Sequence, residues 1–241
     1  MKLLKSITAI VFLLSTTLSC AQWGNGKKVK GDNNITTITR STGSYEGLKA
    51  AGPMDFKLVQ GREGDITIKG DTNLMEYIIT EVKNGKLVVK VKDGYNLKPS
   101  KTIEVTVPYE SISSVSLAGS GDIENSGTIK ADEFKVSLAG SGDINLNVES
   151  ETLESAIAGS GDIELTGFTK DLTTKIAGSG DFDGKNLKST NVIAKITGSG
   201  SANVVCNGEL KARITGSGDV KYSGKPTNKD TKITGSGSVS N

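Results

Sequence analysis

A Gly-Ser-Gly triplet recurs at residues 119–121, 140–142, 159–161, 178–180, 198–200, 216–218 and 235–237, at steps of 21, 19, 19, 20, 18 and 19 residues. So narrow a period leaves few folds open. Each repeat must be one coil stacked on the last, because a single coil cannot bury its apolar face alone. Two residues before each triplet stand Leu117, Leu138, Ile157, Ile176, Ile196, Ile214 and Ile233. Six before it, in the inner five repeats, stand Phe134, Leu153, Leu172, Val192 and Leu210. Four after its first Gly come Ile123, Ile144, Ile163, Phe182, Ala202, Val220 and Val239. These positions share one face of an extended chain, which predicts a parallel β-solenoid of about seven coils.

Both glycines of the triplet fall on inward positions if the chain stays extended; alternatively one takes a positive φ and turns the corner of the coil. Parity places the outer surface too: Ala or Thr before each triplet, then Ser120, Ser141, Ser160, Ser179, Ser199, Ser217 and Ser236. Asp122, Asp143, Asp162, Asp181 and Asp219 follow, with Ser201 and Ser238 in the other two repeats. Coils about 4.8 Å apart would line these up as ladders of small polar side chains. Ser113 and Lys229 stand where the inner repeats place a large apolar residue, as expected of end coils that face water.

Upstream, residues 44–110 alternate with the two-residue period of strands, at Phe56 and Leu58, Ile66 and Ile68, Leu87, Val89 and Val91, and Ile103, Val105 and Val107. Asn84-Gly85 predicts a tight hairpin between Ile78–Val82 and Leu87–Val91. Pro108 marks an edge or a break, since it cannot donate to a ladder. Residues 22–43 are polar and read as a linker. The chain is therefore expected to be all-β, with a strand-rich 44–110 leading into a solenoid over 111–241.

Residues 1–21 read as a secretory signal: Lys2 and Lys5, an apolar run from Ile7 to Leu14, then Ser19-Cys20-Ala21. The apolar run is far shorter than the roughly 20 residues that span a bilayer. Cleavage after Ala21 is favoured. The alternative is lipidation of Cys20, the one expected route to a membrane, but Thr17 stands where a lipobox usually carries an aliphatic residue. Either way Cys206 has no disulfide partner. Export to the periplasm, the outer-membrane surface or the extracellular space follows.

The chain has no histidine, which removes the commonest general base and the commonest metal-binding nitrogen. Removing Lys2 and Lys5 takes Lys+Arg from 29 to 27, against 27 Asp+Glu, so the processed chain is neutral. Most of its lysines sit singly among acidic residues, which does not suggest nucleic acid. The five aspartates of the repeat are candidates for calcium, since stacked carboxylates repel unless something intervenes. The plainer reading, and the preferred one, is that each aspartate accepts hydrogen bonds from nearby backbone amides. A polysaccharide-degrading enzyme would need one unlike cluster of acids and bases. Five equivalent aspartates, and serines with no partner base, do not supply it, so no catalytic residue, cofactor or metal is assigned.

The Gly-Ser-Gly-Asp-Ile coils, Phe56-Lys-Leu-Val-Gln-Gly and Asn84-Gly-Lys-Leu-Val-Val resemble the putative auto-transporter adhesin family with the head GIN domain, over roughly residues 43–240. The resemblance implies a β-solenoid in an exported or lipid-anchored envelope protein of Bacteroidetes or their relatives, and the Ala21-Gln22 junction is similar to signal ends common there. It brings no catalytic or ligand-binding residues. The expected function is non-catalytic adhesion or binding of an extracellular polymer or envelope protein, with the serine rows as the candidate face. A purely architectural solenoid is the alternative.

Overall fold

The computed structural model describes residues 26–241. The expected signal segment 1–21, Cys20 and the Ala21-Gln22 junction lie outside the described residues. No helix among the described residues is long and apolar enough to cross a membrane.

The first strands are β1 (Lys27–Lys30), β2 (Ile35–Ser41), β3 (Gly47–Ala51), β4 (Met54–Gln60) and β5 (Asp65–Asp71), followed by a 3-10 turn at Thr72–Tyr77. Then come β6 (Ile78–Lys83), β7 (Lys86–Val91), β8 (Tyr95–Lys98) and β9 (Ile103–Tyr109). The repeats supply β10 (Ser114–Gly119), β11 (Ile123–Ser126), β12 (Ile129–Gly140), β13 (Ile144–Gly159), β14 (Ile163–Gly178), β15 (Phe182–Gly198) and β16 (Ser201–Cys206). They end with β17 (Glu209–Gly216), β18 (Asp219–Ser223), β19 (Asn228–Gly235) and β20 (Ser238–Ser240).

From β10 onward each coil lies in parallel register on the one before it. First glycine stacks on first glycine from Gly119 to Gly235. The apolar positions stack likewise, Leu117 on Leu138 and on through Ile214, and Ile123 on Ile144, Ile163 and Phe182. All of these are buried, and the column stays filled because Phe182 is followed by the small Ala202 and flanked by the buried Gly184. In the last coil Ile233 is 41% exposed and Lys229 faces solvent. The inward alternation restarts once per coil away from the triplet, as at Glu151 and Thr152, both exposed between buried Ser150 and Leu153.

The triplet is the other corner. Its first glycine has a positive φ throughout, 131° at Gly159 for example, and its carbonyl reaches into the next coil. The Gly140 carbonyl accepts both the Ser160 amide at 2.9 Å and the Gly161 amide at 3.1 Å, and the same fork repeats at each inner level. A Cβ on Gly159 would lie 2.3 Å from that oxygen, and one on Gly161 2.0 Å from the Gly142 carbonyl. So the first glycine turns the corner and the second allows backbone to approach backbone.

The strand-rich 44–110 region is continuous with the stack. β3 and β4 lie directly beneath β10 and β11, and β7 and β9 beneath β3 and β4. Gly52-Pro53-Met54 is thus a degenerate triplet: Gly52 has φ 119°, and its carbonyl accepts the Gly121 amide. β6 and β7 form an antiparallel hairpin across Asn84-Gly85, both with positive φ. Pro108 lies within β9, beyond the three residue pairs that β9 makes with antiparallel β5, where no amide is required of it on that side.

The 22–43 stretch is not a linker in its described part. β1 pairs with β8, and β2 runs antiparallel to β5. Its apolar signal is thin because these strands border the first layers with little of their surface buried. A buried carboxylate holds them instead. Oδ1 of Asp71 accepts the Asn33 amide at 2.9 Å and the Ser100 hydroxyl at 2.6 Å, and Oδ2 accepts the Ser100 amide at 2.8 Å. Burial pushes this carboxyl up, but those hydrogen bonds outweigh burial and hold it below the usual range.

Two hydroxyl columns run inside the core, on positions of the same inward parity as the apolar residues around them. Ser155 bonds Thr174 at 3.0 Å, and Ser150 bonds Thr169 at 3.2 Å. Cys206 continues the second column as a buried free thiol, its pKa raised by burial.

Replacing Gly161 by Ala should cost at least about 3 kcal/mol by denaturant unfolding, because its Cβ meets backbone that cannot yield. Gly127→Ala, at a positive φ in open space, should cost only about 1–2 kcal/mol. Asp71→Asn turns amide hydrogens toward the donors around it and should cost about 1–3 kcal/mol. The stability Asp71 contributes should be complete above its unfolded pKa of about 3.9 and lost as pH falls through the lower folded value.

Candidate binding face

The corner glycines determine what the outer surface presents. The backbone turns at the same place in every coil, so the outward residues on either side of the triplet form straight rows. All seven serines, from Ser120 to Ser236, are exposed. Asp122, Asp143, Asp162 and Asp181 are exposed beside them, and Asp219 is half-buried.

The aspartates take a backbone role. Oδ1 of Asp122 accepts the Asp143 amide at 3.0 Å, Asp143 accepts that of Asp162 at 3.1 Å, Asp162 that of Asp181 at 2.7 Å, and Asp181 that of Ser201 at 2.6 Å. In return the Ile123 amide donates to the Asp143 carbonyl, and Ile144 to that of Asp162. The regular ladder is interrupted just after each triplet, and the carboxylate substitutes for the missing carbonyl. Where Ser201 replaces Asp, ordinary parallel pairing resumes between Ser201 and Asp219.

The row begins one coil earlier than the seven triplets suggest. Asp55 accepts the Asp122 amide at 3.1 Å. Its signal was present in Gly52-Pro53-Met54-Asp55, which keeps the spacing of Gly-Ser-Gly-Asp without its letters. Burial raises the Asp55 carboxyl, with Asp122, Glu104 and Glu124 adding to the rise against the lowering effect of the Asp122 amide. These acids line an open groove of about 620 Å³ together with Lys57 and Asp143. Lys57 lies 3.6 Å from Glu124, and Lys69 lies 3.2 Å from Glu104. At the far end, the Ser238 hydroxyl and then its amide hold Asp219 below the usual carboxylate range.

Among the described residues no three His, Cys, Asp or Glu side chains are arranged to hold a metal ion. The five calcium candidates lie in one row, each with Oδ1 engaged except that Asp219 uses it twice. The sequence reading missed a second row. Lysines that stand singly in the sequence are stacked by the coils, so that Lys175, Lys195, Arg213 and Lys232 occupy one outward column.

Comparison with known proteins gives one family match: a model described as "Putative auto-transporter adhesin, head GIN domain" matches residues 44–226. No curated protein matches. Among solved structures, a protein described as a putative adhesin from Bacteroides fragilis is 22% identical, with a TM-score of 0.80 over 88% of this chain and 99% of its own. One described as a putative lipid binding protein from Parabacteroides distasonis is 24% identical, with a TM-score of 0.73 over 89% of this chain and 99% of its own. A putative adhesin from Parabacteroides merdae is 24% identical, with a TM-score of 0.70 and the same two coverages. At these identities the likeness speaks for the fold alone.

Two outcomes are expected. Asp143→Ala, which strands the Asp162 amide, should cost about 0.5–1.5 kcal/mol in denaturant unfolding, and Asp143→Asn, which keeps an acceptor, less. In a carboxyl titration followed by NMR, Asp219 should titrate below the ordinary value of about 3.9 and move up in Ser238→Ala.

Proposed function

The chain belongs to the family described as putative auto-transporter adhesins with the head GIN domain, and from that premise we propose that it is an exported, non-catalytic cell-envelope protein that binds an extended polymer or another envelope component. One observation carries the reading: the outer rows of small side chains, hydroxyls and carboxylates are exposed and in register across seven coils. A surface with a fixed repeat meets a partner that has a repeat of its own. The names of the family and of the structural relatives, adhesins and in one case a lipid binding protein, support binding rather than catalysis.

The chemistry of the rows supports the same reading. Asp122, Asp143 and Asp162 each spend an oxygen on the backbone amide of the next coil, and the two aspartates whose environments differ, Asp55 and Asp219, stand at opposite ends of the row, too far apart to work as the acid and base of one hydrolase site. The serines have hydroxyls but no general base in the repeat to activate them. Export rests on residues 1–21, and lipidation of Cys20 remains the alternative to cleavage after Ala21. A purely architectural role is the second reading, favoured by the same hydrogen bonds between coils.

The chain from residue 22 onward should be retained, saturably, by at least one insoluble polysaccharide or envelope fraction in a pull-down run with calcium and with chelator. Retention lost with chelator would make the aspartate row an ion-dependent surface. Retention by no fraction would leave the architectural reading.

A further inference from the structure

We propose that the outer face of the last four coils binds an acidic polysaccharide along its stacked cations; this rests on the polymer-binding reading above and gives the polymer a chemical class. Parallel register sets Lys175 on Lys195, Lys195 on Arg213 and Arg213 on Lys232. In earlier coils the same column holds Ser116, Ser137 and Ala156. The fold therefore accepts a small neutral residue here, and the switch to four consecutive cations is not a requirement of packing.

The row has an electrostatic cost. Unit charges on neighbouring coils, about 4.8 Å apart, repel by about 1 kcal/mol in water before salt screens them. Elsewhere successive coils place opposite charges together, as in Lys130 with Glu149 at 3.0 Å and Lys135 with Glu154 at 3.7 Å. The aspartate row is another column of like charge, and its carboxylates are used by backbone amides; where Glu164 stacks on Asp183, Lys185 pairs with Asp183. In the cation row only Arg213 has such a use among the described residues, donating to the backbone carbonyls of Ala212 and Asp230. Arg213 is paired with Asp230, but Lys175, Lys195 and Lys232 have no ion pair among the described residues. A repeating anion laid along the row would relieve that repulsion.

The neighbouring rows decide which polyanion fits. Toward the corner run Ala177, Thr197, Thr215 and Thr234, then Ser179, Ser199, Ser217 and Ser236, all exposed. These hydroxyls suit the hydroxyls of a sugar chain. The three rows contain no aromatic ring on which a nucleic-acid base could stack. A carboxylated or sulfated glycan is the polymer this surface matches, with ammonium groups on its acid groups and threonine and serine on its rings.

The test is retention of the chain from residue 22 onward on immobilised heparin and polygalacturonate, against neutral dextran and single-stranded DNA, over a sodium chloride gradient. Lys175→Ser, Lys195→Ser and Lys232→Ser are combined in one variant, since serine already occupies this column. Lys130→Ser, Lys170→Ser and Lys188→Ser, on other exposed positions, give a variant of equal net charge. An acidic glycan should retain the parent in a salt-dependent way, the row variant should bind about tenfold more weakly, and the control should bind as the parent does. Ser116→Lys with Ser137→Lys should tighten binding.

Equal loss in both triple variants, no loss in the row variant, retention by DNA alone, or capture of the row by a second copy of the chain in sedimentation would each overturn the proposal. Retention by a neutral polysaccharide or envelope fraction without the acidic ones would overturn it while leaving the polymer-binding reading in place. Retention by nothing would overturn both.

Discussion

Everything in this molecule depends on the carbonyl of the first glycine in each triplet, which accepts two amides from the coil above. A parallel stack has no hairpins to set its register, so something must prevent each coil from sliding on the last. The forked hydrogen bond does this at one fixed point per coil. It requires the backbone to turn with a positive φ and requires the next coil to come within van der Waals contact at the second glycine. With that point fixed, the apolar residues on either side fall into vertical columns and the polar ones into rows. The core follows from the corner as much as the corner from the core.

The aspartates extend the same logic. Just past the triplet the parallel ladder is broken, and an amide at that point would otherwise have only water as a partner. A carboxylate one coil below accepts it, so a residue type that repels its own kind is repeated at successive levels. A charge-assisted hydrogen bond at each level offsets the repulsion between levels. Arg213 is tied to Asp230 in the next coil, but the three lysines of the cation row have no comparable offset among the described residues, which is why a periodic structural role explains the aspartates and not the lysines.

Much of this was legible in the sequence because the repeat states it seven times. The period, the inward apolar positions, the exposed serines and the Asn84-Gly85 hairpin all come from patterns in which one residue type has one physical reason to be there. What escaped was of a different kind. Asp55 and Gly52 belong to a coil whose triplet reads Gly-Pro-Met, so they carry the geometry without the motif. β1 and β2 bury little, and are held by Asp71, a polar residue that no hydrophobic period reveals. Ser155 and Thr174 stand at positions of inward parity, but the bond each makes to the other across coils is visible only once the register is known. The cation row escaped for the same reason: residues 18 to 20 apart in sequence become neighbours only when the coils are stacked.

Residue-resolved hydrogen exchange tests the central claim, that the corner carbonyls and the aspartate row tie each coil to the next. The account predicts slow exchange, close to that of the core strands, for the amides of Ser160, Gly161, Ser179 and Gly180, although the serine side chains face solvent. It predicts similar protection at Asp143 and Asp162, weakening as the carboxylate below is protonated. Exchange at these amides as fast as at the open turn around Gly127 would mean that the corners do not hold the register, and the account would fail.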